Sequence, residues 1–322
     1  MIIYGAGMAG LLAGHMLRRH EPVICEAKKS LPNNHHAVLR FRSRAVAEAT
    51  HIPFREVVVH KAIWDNGMMY GQPTLATQNM YAQKVAGIVR NRSIIDLQPS
   101  KRYIAPPDFI AQLARGLEIH YDEPLLISHI KEGVDEPAIS TIPMKMLMRM
   151  VHWEHDPRTT FKHSPIWTLN VDLAGNIDVY QTIYYPNTAQ QWYRASITGS
   201  RLTIEFIDAP QENMGWQYAD FVLTHFGIKP EGFVGHPQWG KQEYGKLIPM
   251  DDELRHTFID YMTDRFNIYS LGRFGTWRQI LLDDVVNDIR VIDRLITLKS
   301  RYLRSLARQA KEIGHDDERP TS

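Results

Sequence analysis

The first 27 residues follow a strand–turn–helix–strand pattern with three glycines at the turn. An apolar run at residues 2–4 leads into Gly5-x-Gly7-x-x-Gly10, a helical stretch follows, and a second apolar run ends at Glu26. In this spacing the first glycine permits a tight turn, the second lets a pyrophosphate approach the backbone, and the third allows the helix to pack closely on the strand. The pattern therefore predicts a βαβ unit that binds a dinucleotide.

The residues around this turn are the expected contacts of the dinucleotide. The N–H groups at the start of a helix attract phosphate, so Met8 and Ala9 would lie beside the pyrophosphate. Glu26 is placed to accept hydrogen bonds from a ribose, and Ala27 follows it. NAD and FAD share this pattern, and an ordinary strand–turn–helix whose glycines serve only packing would also produce it. The turn alone therefore leaves the type of dinucleotide open.

The composition is that of a globular protein without a marked charge. The 322 residues are 44% hydrophobic and 23% charged, with a formal net charge of +1. This length suffices for two joined lobes, and no apolar run approaches the ~18 residues that span a membrane. The single cysteine, Cys25, cannot form an internal disulfide, and no HExxH or CxxC spacing indicates a metal site. We therefore expect a cytoplasmic protein with neither a metal nor a membrane partner.

The order of strand-like and helical segments indicates two interleaved lobes. Residues 106–116 have the pattern of a helix, residues 137–147 that of a buried strand closed by Thr141 and Pro143, and residues 165–206 that of long alternating strands separated by turns. Helical patterns return at about 212–226, 251–264 and 277–311. We predict an α/β protein in which a Rossmann-like dinucleotide-binding lobe is interleaved with a mostly antiparallel β plus helical substrate lobe.

The lobe boundaries follow from these patterns. The predicted first lobe comprises residues 1–60, 100–145 and 266–311, and the predicted second lobe comprises residues 61–99 and 146–265. The polar segment 312–322 contains a proline and has no apolar period, so we expect it to be a flexible tail.

The segment "NIYSLGRFGTWRQILLDDVVNDI", residues 267–289, is the most specific in the chain. It resembles the C-terminal flavin motif of UDP-galactopyranose mutases and of the related amine-oxidase and protoporphyrinogen-oxidase flavoproteins, which is close to G-R-x-G-T-Y-R-Y-x-D-M-D. The matching positions are Gly272, Arg273, Gly275, Thr276, Arg278 and Asp283. The resemblance implies that the cofactor is FAD, that the backbone at Gly272 approaches it, and that a helix beginning near Thr276 aims its N–H groups at the flavin.

Two further segments resemble the same flavoproteins. "PAISTIPM", residues 137–144, is similar to the strand that they place beside the cofactor, which implies cofactor contacts for Thr141 and Pro143. In "YYPNTAQQWYRAS", the pair Tyr193–Arg194 is similar to an aromatic–arginine pair on their substrate-lobe sheet. The resemblance implies that Tyr193, Arg194 and Arg273 are catalytic, with the two arginines reaching flavin and substrate from different lobes.

The chain departs from the family pattern after the second strand. A Gly-Gly segment against the cofactor is usual there, but residues 31–43 read "LPNNHHAVLRFRS". His35, His36, Arg40 or Arg42 would then meet the pyrophosphate, hold an anionic substrate or stabilise negative charge on the flavin. The two histidines suit a surface turn equally well. We take His36 as a catalytic candidate and Arg40 as a cofactor contact.

A second departure lies within the C-terminal motif. In the mutases, a tyrosine that helps to hold a nucleotide diphosphate occupies the position of Gln279, which we keep as a cofactor-site residue. Leu281 replaces an aspartate of the motif. These two replacements argue against mutase activity.

Three functions fit these features. The first is FAD-dependent oxidation of a carbon–nitrogen bond in an amine or amino acid, the second is a sugar-nucleotide mutase that uses reduced flavin, and the third is a non-catalytic flavin- or nucleotide-binding protein. In overall character the chain also resembles phage-encoded flavin enzymes of thymine hypermodification. Those enzymes act on an amino acid attached to thymine in DNA, so such a protein would work in the cytoplasm of the host.

The expected partner is therefore a small amine or a modified DNA base. DNA phosphates would contact Arg40 to Arg44 and the basic C-terminal helix, while Tyr184, Tyr185, Trp192 or Tyr193 would hold the base. The basic residues of that helix are Arg294, Lys299, Arg301, Arg304, Arg308 and Lys311. A solvated helix face explains such a run of charges as well.

Overall fold

The computed structural model describes residues 1–31, 39–87, 89, 94–153 and 161–316, and only the backbone of residues 301 and 303–316. Its elements are, in chain order, β1 (Ile2–Tyr4), α1 (Met8–Met16), β2 (Val23–Glu26), β3 (Arg40–Phe41), α2 (Ala45–Thr50), β4 (Arg55–Asp65), β5 (Met68–Tyr70), α3 (Leu75–Ala86), β6 (Ser100–Ile104), α4 (Phe109–Ala114), β7 (Glu118–Tyr121), β8 (Ala138–Ser140), α5 (Met144–Met150), β9 (His163–Leu173), β10 (Val179–Tyr184), β11 (Trp192–Gly199), β12 (Arg201–Phe206), α6 (Gly215–Phe226), β13 (Phe233–Leu247), α7 (Asp252–Phe266), β14 (Ile268–Ser270), α8 (Gly272–Gly275) and α9 (Leu282–Asp316).

The chain divides into two compact units. Unit 1 comprises residues 1–31, 111–159 and 251–322, and unit 2 comprises residues 32–110 and 160–250. The predicted fold class, a Rossmann-like part interleaved with a mostly antiparallel part, is confirmed. The boundaries differ from the predicted ones because β4, which runs across residue 60, and its partners β3 and β6 all belong to the sheet of unit 2.

Unit 1 is built on a parallel sheet. Its five strands lie in the order β14-β8-β1-β2-β7, and every neighbouring pair is parallel. The chain builds this sheet outward from β1 in one direction through β2 and β7, and then in the other direction through β8 and β14. In such sheets ligands bind outside the carboxyl ends of the strands, where the strand order reverses. The reversal here lies between β1 and β8.

Unit 2 is built on a nine-stranded sheet. The order is β13-β9-β12-β11-β10-β4-β6-β3, with β5 paired to β4, and only β10 and β4 are parallel neighbours. One face of this sheet is apolar and is covered by α6. Leu169, Ile197 and Ile204 from the strands pack there with Val222 and Leu223 of the helix, and all five are buried. Burial of this apolar face is the main source of stability for the unit.

Several predicted elements are confirmed and others are wrong. Residues 106–116 contain α4, the region 165–206 contains four strands, and α6, α7 and α9 lie in the three predicted helical regions. The predicted buried strand at 137–147 ends at Ser140, because Pro143 occupies the position before the first turn of α5. A proline is favourable at a helix start, where its missing N–H has no partner to lose.

The helix predicted to begin near Thr276 is also wrong. α8 ends at Gly275, and the buried Trp277 has a left-handed backbone with φ of 47°, which interrupts the helix. The long helix begins at Leu282, where the carboxylate of Asp284 accepts a hydrogen bond from the N–H of Leu281 at 2.8 Å. At the other end, α9 includes residues 312–316 of the predicted tail, and residues 317–322 lie outside the described residues.

The sequence analysis missed β13, a strand of 15 residues. Glycines and a proline interrupt its alternation, and its pairing with β9 shifts register twice.

Among the described residues, no helix is both long enough and apolar enough to cross a membrane.

A half-buried lysine fixes the connection between β10 and β11. The ammonium group of Lys84, on α3, donates hydrogen bonds to the carbonyl oxygens of Tyr185 at 2.9 Å, Asn187 at 2.6 Å and Trp192 at 2.8 Å. Burial lowers the pKa of Lys84 to about 8. The three carbonyls belong to the segment that leads into Tyr193, so Lys84 positions the start of β11.

Replacing Lys84 tests this role. Lys84→Met keeps the apolar stem but leaves three carbonyls without their donor, so the free energy of unfolding should fall by about 2–4 kcal/mol. Urea denaturation would measure the change. The control is Lys101→Met, at a lysine whose side chain is 70% exposed, where we expect a change below about 0.5 kcal/mol. Equal stability of the two variants would contradict the role assigned to Lys84.

Candidate functional site

The glycine turn of unit 1 lies at the carboxyl end of β1. Gly5 has a φ of 100°, and its N–H donates to the carbonyl of Cys25 at 2.8 Å. A Cβ at Gly5 would lie 2.4 Å from Oγ1 of Thr141, and a Cβ at Gly10 would lie 1.9 Å from the carbonyl oxygen of Gly5. Packing within the protein therefore requires glycine at both positions.

Gly7 is different from its two neighbours in the motif. Its φ is −67°, which any residue can adopt, it is exposed, and among the described residues a Cβ there would have no neighbour within 4 Å. Gly7 precedes the first turn of α1, which has no capping side chain and no acidic residue. The helix start thus presents N–H groups and a positive dipole end beside an open backbone surface. Packing among the described residues gives no reason for a glycine here. Glycine is acceptable at the position before a helix, and it also allows close approach of a phosphate.

Glu26, the last residue of β2, stabilises the glycine turn. One carboxylate oxygen accepts the N–H of Ala6 at 2.6 Å, and the other accepts the N–H of Lys28 at 2.9 Å. The residue is half-buried, and Ala27 beside it is exposed. A carboxylate has about four lone-pair sites, so each oxygen can accept a further hydrogen bond from a ribose hydroxyl. The predicted ribose contact is compatible with this geometry.

The segment after β8 supports the turn. Thr141 donates from its N–H and from its hydroxyl to the carbonyl of Tyr4, both at 2.9 Å. Pro143 follows at the start of α5. Ser140 and Ser270 are register partners at the ends of β8 and β14, and, within the described part of the chain, neither buried hydroxyl has a hydrogen-bond partner. These hydroxyls are available to a polar ligand or to water.

The C-terminal motif packs directly on the glycine turn. Gly272 has a φ of 79°, and a Cβ there would lie 2.8 Å from the Cβ of Ala9, beside Met8 in the first turn of α1. A Cβ at Gly275 would lie 2.9 Å from the carbonyl oxygen of Ser140. Both glycines are therefore explained by protein packing, which places the motif within the same edge of unit 1 as the turn.

Polar side chains of the motif hold its own loop. The hydroxyl of Thr276 donates to the carbonyl of Gly272 at 2.8 Å and accepts from Nε of Arg278 at 3.0 Å. Arg278 also pairs with Asp288 of α9. Arg273 is half-buried, with its guanidinium carbon 5.8 Å from the ring centre of Phe274. Gln279 is exposed in the connection to α9.

Unit 2 carries a row of polar side chains across the sheet face opposite α6. Successive register partners on six neighbouring strands are Lys61, Thr182, Ser196, Thr203, Asn170 and Gln238. We call these six residues the polar row. The four central members are at most 5% exposed. The hydroxyls of Thr182 and Ser196 are 2.9 Å apart, and Thr203 donates to Oδ1 of Asn170 at 2.7 Å.

One donor of the polar row is left over. Among the described residues, Nδ2 of Asn170 is buried without a hydrogen-bond partner. A buried unsatisfied N–H costs about 1–3 kcal/mol, so native proteins retain one where it has a further role or where water fills the gap. A ligand that offers an acceptor to Asn170 would remove this cost.

Arg194 and Glu205 form an ion pair next to the polar row. Nε of Arg194 is hydrogen bonded to Oε2 of Glu205, and Nη2 donates to Oε1 at 2.6 Å. The buried Tyr193 donates its hydroxyl to Oε1 at 3.1 Å, and the ammonium of Lys246 lies 4.8 Å from the Tyr193 ring centre. Burial alone would raise the pKa of Glu205, but Arg194 and Lys246 bring it below its usual value. Both groups are therefore charged.

Arg40 is committed to the same sheet. Its guanidinium donates to the hydroxyls of Thr182 at 2.7 Å and Thr198 at 3.0 Å, and to the carbonyl of Gln181 at 3.1 Å. Burial and the nearby Arg194 lower the pKa of Arg40 to about 10. These bonds anchor Arg40 to β10 and β11, whereas the sequence analysis expected it at the pyrophosphate.

The remaining predicted residues are dispersed. Tyr184 and Tyr193 pack with Tyr81, while Tyr185 and Trp192 lie in the apolar core under α6, and all four predicted base-stacking rings are at most 7% exposed. His35 and His36 lie outside the described residues.

The sequence analysis missed the polar row. Part of its signal was present, because the four central members each stand next to an apolar residue that belongs to the core under α6. The register that aligns them across the strands was not visible in the sequence.

Solved structures that share this fold include three of similar length. Reduced UDP-galactopyranose mutase aligns over 92% of this chain and 93% of its own, with a TM-score of 0.70 and 14% identity. A protoporphyrinogen oxidase-like protein from Exiguobacterium sp. 255-15 aligns over 92% and 98%, with a TM-score of 0.63 and 11% identity. An oxidoreductase from Methanosarcina mazei aligns over 91% of this chain and 99% of its own, with a TM-score of 0.54 and 10% identity. No protein-family model and no curated protein matches the sequence.

Alanine at the last and at the middle glycine of the turn should have unequal effects on stability. Gly10→Ala should lower the free energy of unfolding by about 2–4 kcal/mol, because its methyl group would overlap the Gly5 carbonyl oxygen. Gly7→Ala, the matched control, meets no neighbour and should change it by less than about 1 kcal/mol. Thermal and urea unfolding of ligand-free protein would measure both. The interpretation fails if Gly7→Ala is the more destabilised variant.

Proposed function

We propose that this protein is an FAD-dependent oxidoreductase whose cofactor binds at the carboxyl edge of the parallel sheet in unit 1. The observation that carries the proposal is Gly7, a glycine that protein packing does not require at an uncapped helix start. Glu26 is in position for the ribose of the same nucleotide. The pyrophosphate would accept hydrogen bonds from the N–H groups of Met8 and Ala9.

The choice of FAD over NAD rests on two supports. The C-terminal motif at 272–283, which resembles a flavin motif, packs on the first turn of α1 through Gly272 and Ala9. The shared fold includes proteins named as a UDP-galactopyranose mutase and as an oxidoreductase. When bound, the flavin would supply a ring that accepts a hydride from a substrate carbon.

We propose a small amine or amino acid with an anionic group as the substrate. The polar row provides a cationic donor in Lys61 and, among the described residues, an unsatisfied amide donor in Asn170. Arg194 beside it is already paired with Glu205. Oxidation would remove a hydride from the carbon beside the nitrogen and a proton from the nitrogen. Water would then cleave the imine to a carbonyl compound and an amine.

A sugar-nucleotide mutase is the second candidate. It is favoured by the 93% coverage and TM-score of 0.70 of the mutase structure. It is disfavoured by Gln279 and Leu281, which replace the tyrosine and aspartate of the motif that this chain resembles. A non-catalytic flavin-binding protein would need no such polar row.

An aminoacyl-modified thymine in DNA is a narrower form of the amine proposal. The contacts of the arginine cluster give it little support, because Arg40 is bonded within its sheet and Arg44 lies 3.8 Å from the carboxylate of Glu56. We therefore place a free small molecule before a DNA base as the substrate.

Anaerobic mixing tests the proposal. The purified protein should be yellow, and a substrate amine or amino acid should bleach the flavin absorbance without added reductant. The same experiment is run with a modified-thymine oligonucleotide and with UDP-galactopyranose. Turnover of the sugar nucleotide only after reduction of the flavin by dithionite would favour the mutase. Gly7→Val, which places a side chain where the pyrophosphate is expected, should reduce flavin content at least about tenfold at unchanged protein yield. Full flavin content in Gly7→Val would refute this binding site.

A further inference from the structure

The long helix α9 has two apolar faces. One is buried against unit 1 through Val285, Ile289, Ile292 and Ile296. The second contains Val291, Leu295, Leu298 and Tyr302, which are 55%, 45%, 60% and 63% exposed. We call these four residues the outer stripe. Spacings of four, three and four residues place them in one line along a helix.

The outer stripe is bordered by basic residues. Arg290 and Arg294 are exposed on the same side of α9. The acidic residues of this stretch are engaged within unit 1, because Asp288 pairs with Arg278 and Asp293 pairs with Arg19 and His20. The helical backbone continues to Asp316, and the sequence of this extension contains Arg301, Arg304, Arg308 and Lys311 together with Glu312 and Asp316. Between residues 290 and 302 the exposed side of α9 is therefore apolar along its centre and carries Arg290 and Arg294 beside it.

We propose that this side of α9 docks on the surface of an anionic lipid bilayer. A helix with an apolar line, flanking arginines and an aromatic ring has the composition of helices that lie in the membrane interface. The apolar side chains would enter the boundary between headgroups and acyl chains, while the arginines would contact lipid phosphates. The outer stripe spans eleven helical rises, roughly 16 Å, and lies along the membrane without crossing it.

Charge decides between this surface and other occupants. In an antiparallel pair with a second copy of α9, the arginines beside one stripe would face those beside the other, and like charges disfavour that contact. A nucleic acid would meet the arginines but would leave four large apolar side chains against a phosphate backbone. An anionic bilayer satisfies both features. The expectation of no membrane partner rested on the absence of a spanning segment, which a surface contact does not need.

Sedimentation with lipid vesicles tests the proposal on the full chain. Wild-type protein should bind vesicles of phosphatidylcholine with phosphatidylserine, and should bind pure phosphatidylcholine much more weakly. Leu295→Ser with Leu298→Ser removes half of the outer stripe, and Arg290→Gln with Arg294→Gln removes two charges. Each double variant should lower the partition coefficient about tenfold or more. The side chains of all four residues are exposed, so both variants should keep the wild-type unfolding transition.

A matched variant separates this face from general hydrophobicity. Met68 and Leu75 are 56% and 79% exposed in unit 2, and Met68→Ser with Leu75→Ser should leave vesicle binding within about twofold of wild type. The proposal is overturned if wild-type protein does not bind anionic vesicles, or if the leucine variant binds as wild type does. Self-association through the outer stripe would also overturn it. In that case sedimentation velocity would show a wild-type dimer that does not bind vesicles, and the leucine variant would be a monomer.

Discussion

Close packing of α1 on the end of β1 is the constraint on which the candidate site depends. A side chain at Gly10 would overlap the carbonyl oxygen of Gly5, and Thr141 occupies the space beside Gly5. Ala9, the residue before Gly10, packs against Gly272, which lies more than 260 residues later in the sequence. Three distant parts of the chain thus meet at one edge of the sheet. Among the described residues none occupies the space at Gly7, so its backbone is open next to the start of the helix.

The sheet of the second unit has an apolar face under α6, and its other face carries the polar row beside a second apolar cluster that includes Ile63 and Tyr184. Leu169 and Ile197 belong to the core under α6, while the adjacent Thr168 and Asn170 and the adjacent Ser196 face the other way. A sheet face that only packs against protein would be apolar, since burying hydroxyl and amide groups costs free energy unless each is hydrogen bonded. Asn170 leaves one such group unsatisfied among the described residues. The other central members of the row are hydrogen bonded within the sheet or to Arg40, so Asn170 is the member that a ligand could satisfy.

Part of this arrangement could be predicted from sequence, and the limits have physical causes. The glycine turn was predictable because its requirements are local: a positive φ, an open backbone and a close approach within six residues. Arg40 was misplaced because its acceptors belong to β10 and β11, about 140 residues later, and nothing local marks them. The helix start at 276 failed because tertiary burial of Trp277 holds its backbone in a left-handed conformation. The polar row required the register of six strands, which alternation alone does not give.

A crystal structure of the protein grown with FAD tests the central claim most directly. The account predicts the pyrophosphate within about 3 Å of the N–H groups at the start of α1, over Gly7, with a ribose hydroxyl on the carboxylate of Glu26. The flavin ring should extend toward the segment at 272–276. FAD bound elsewhere on the protein, or an empty glycine turn in protein that has bound FAD in solution, would contradict it.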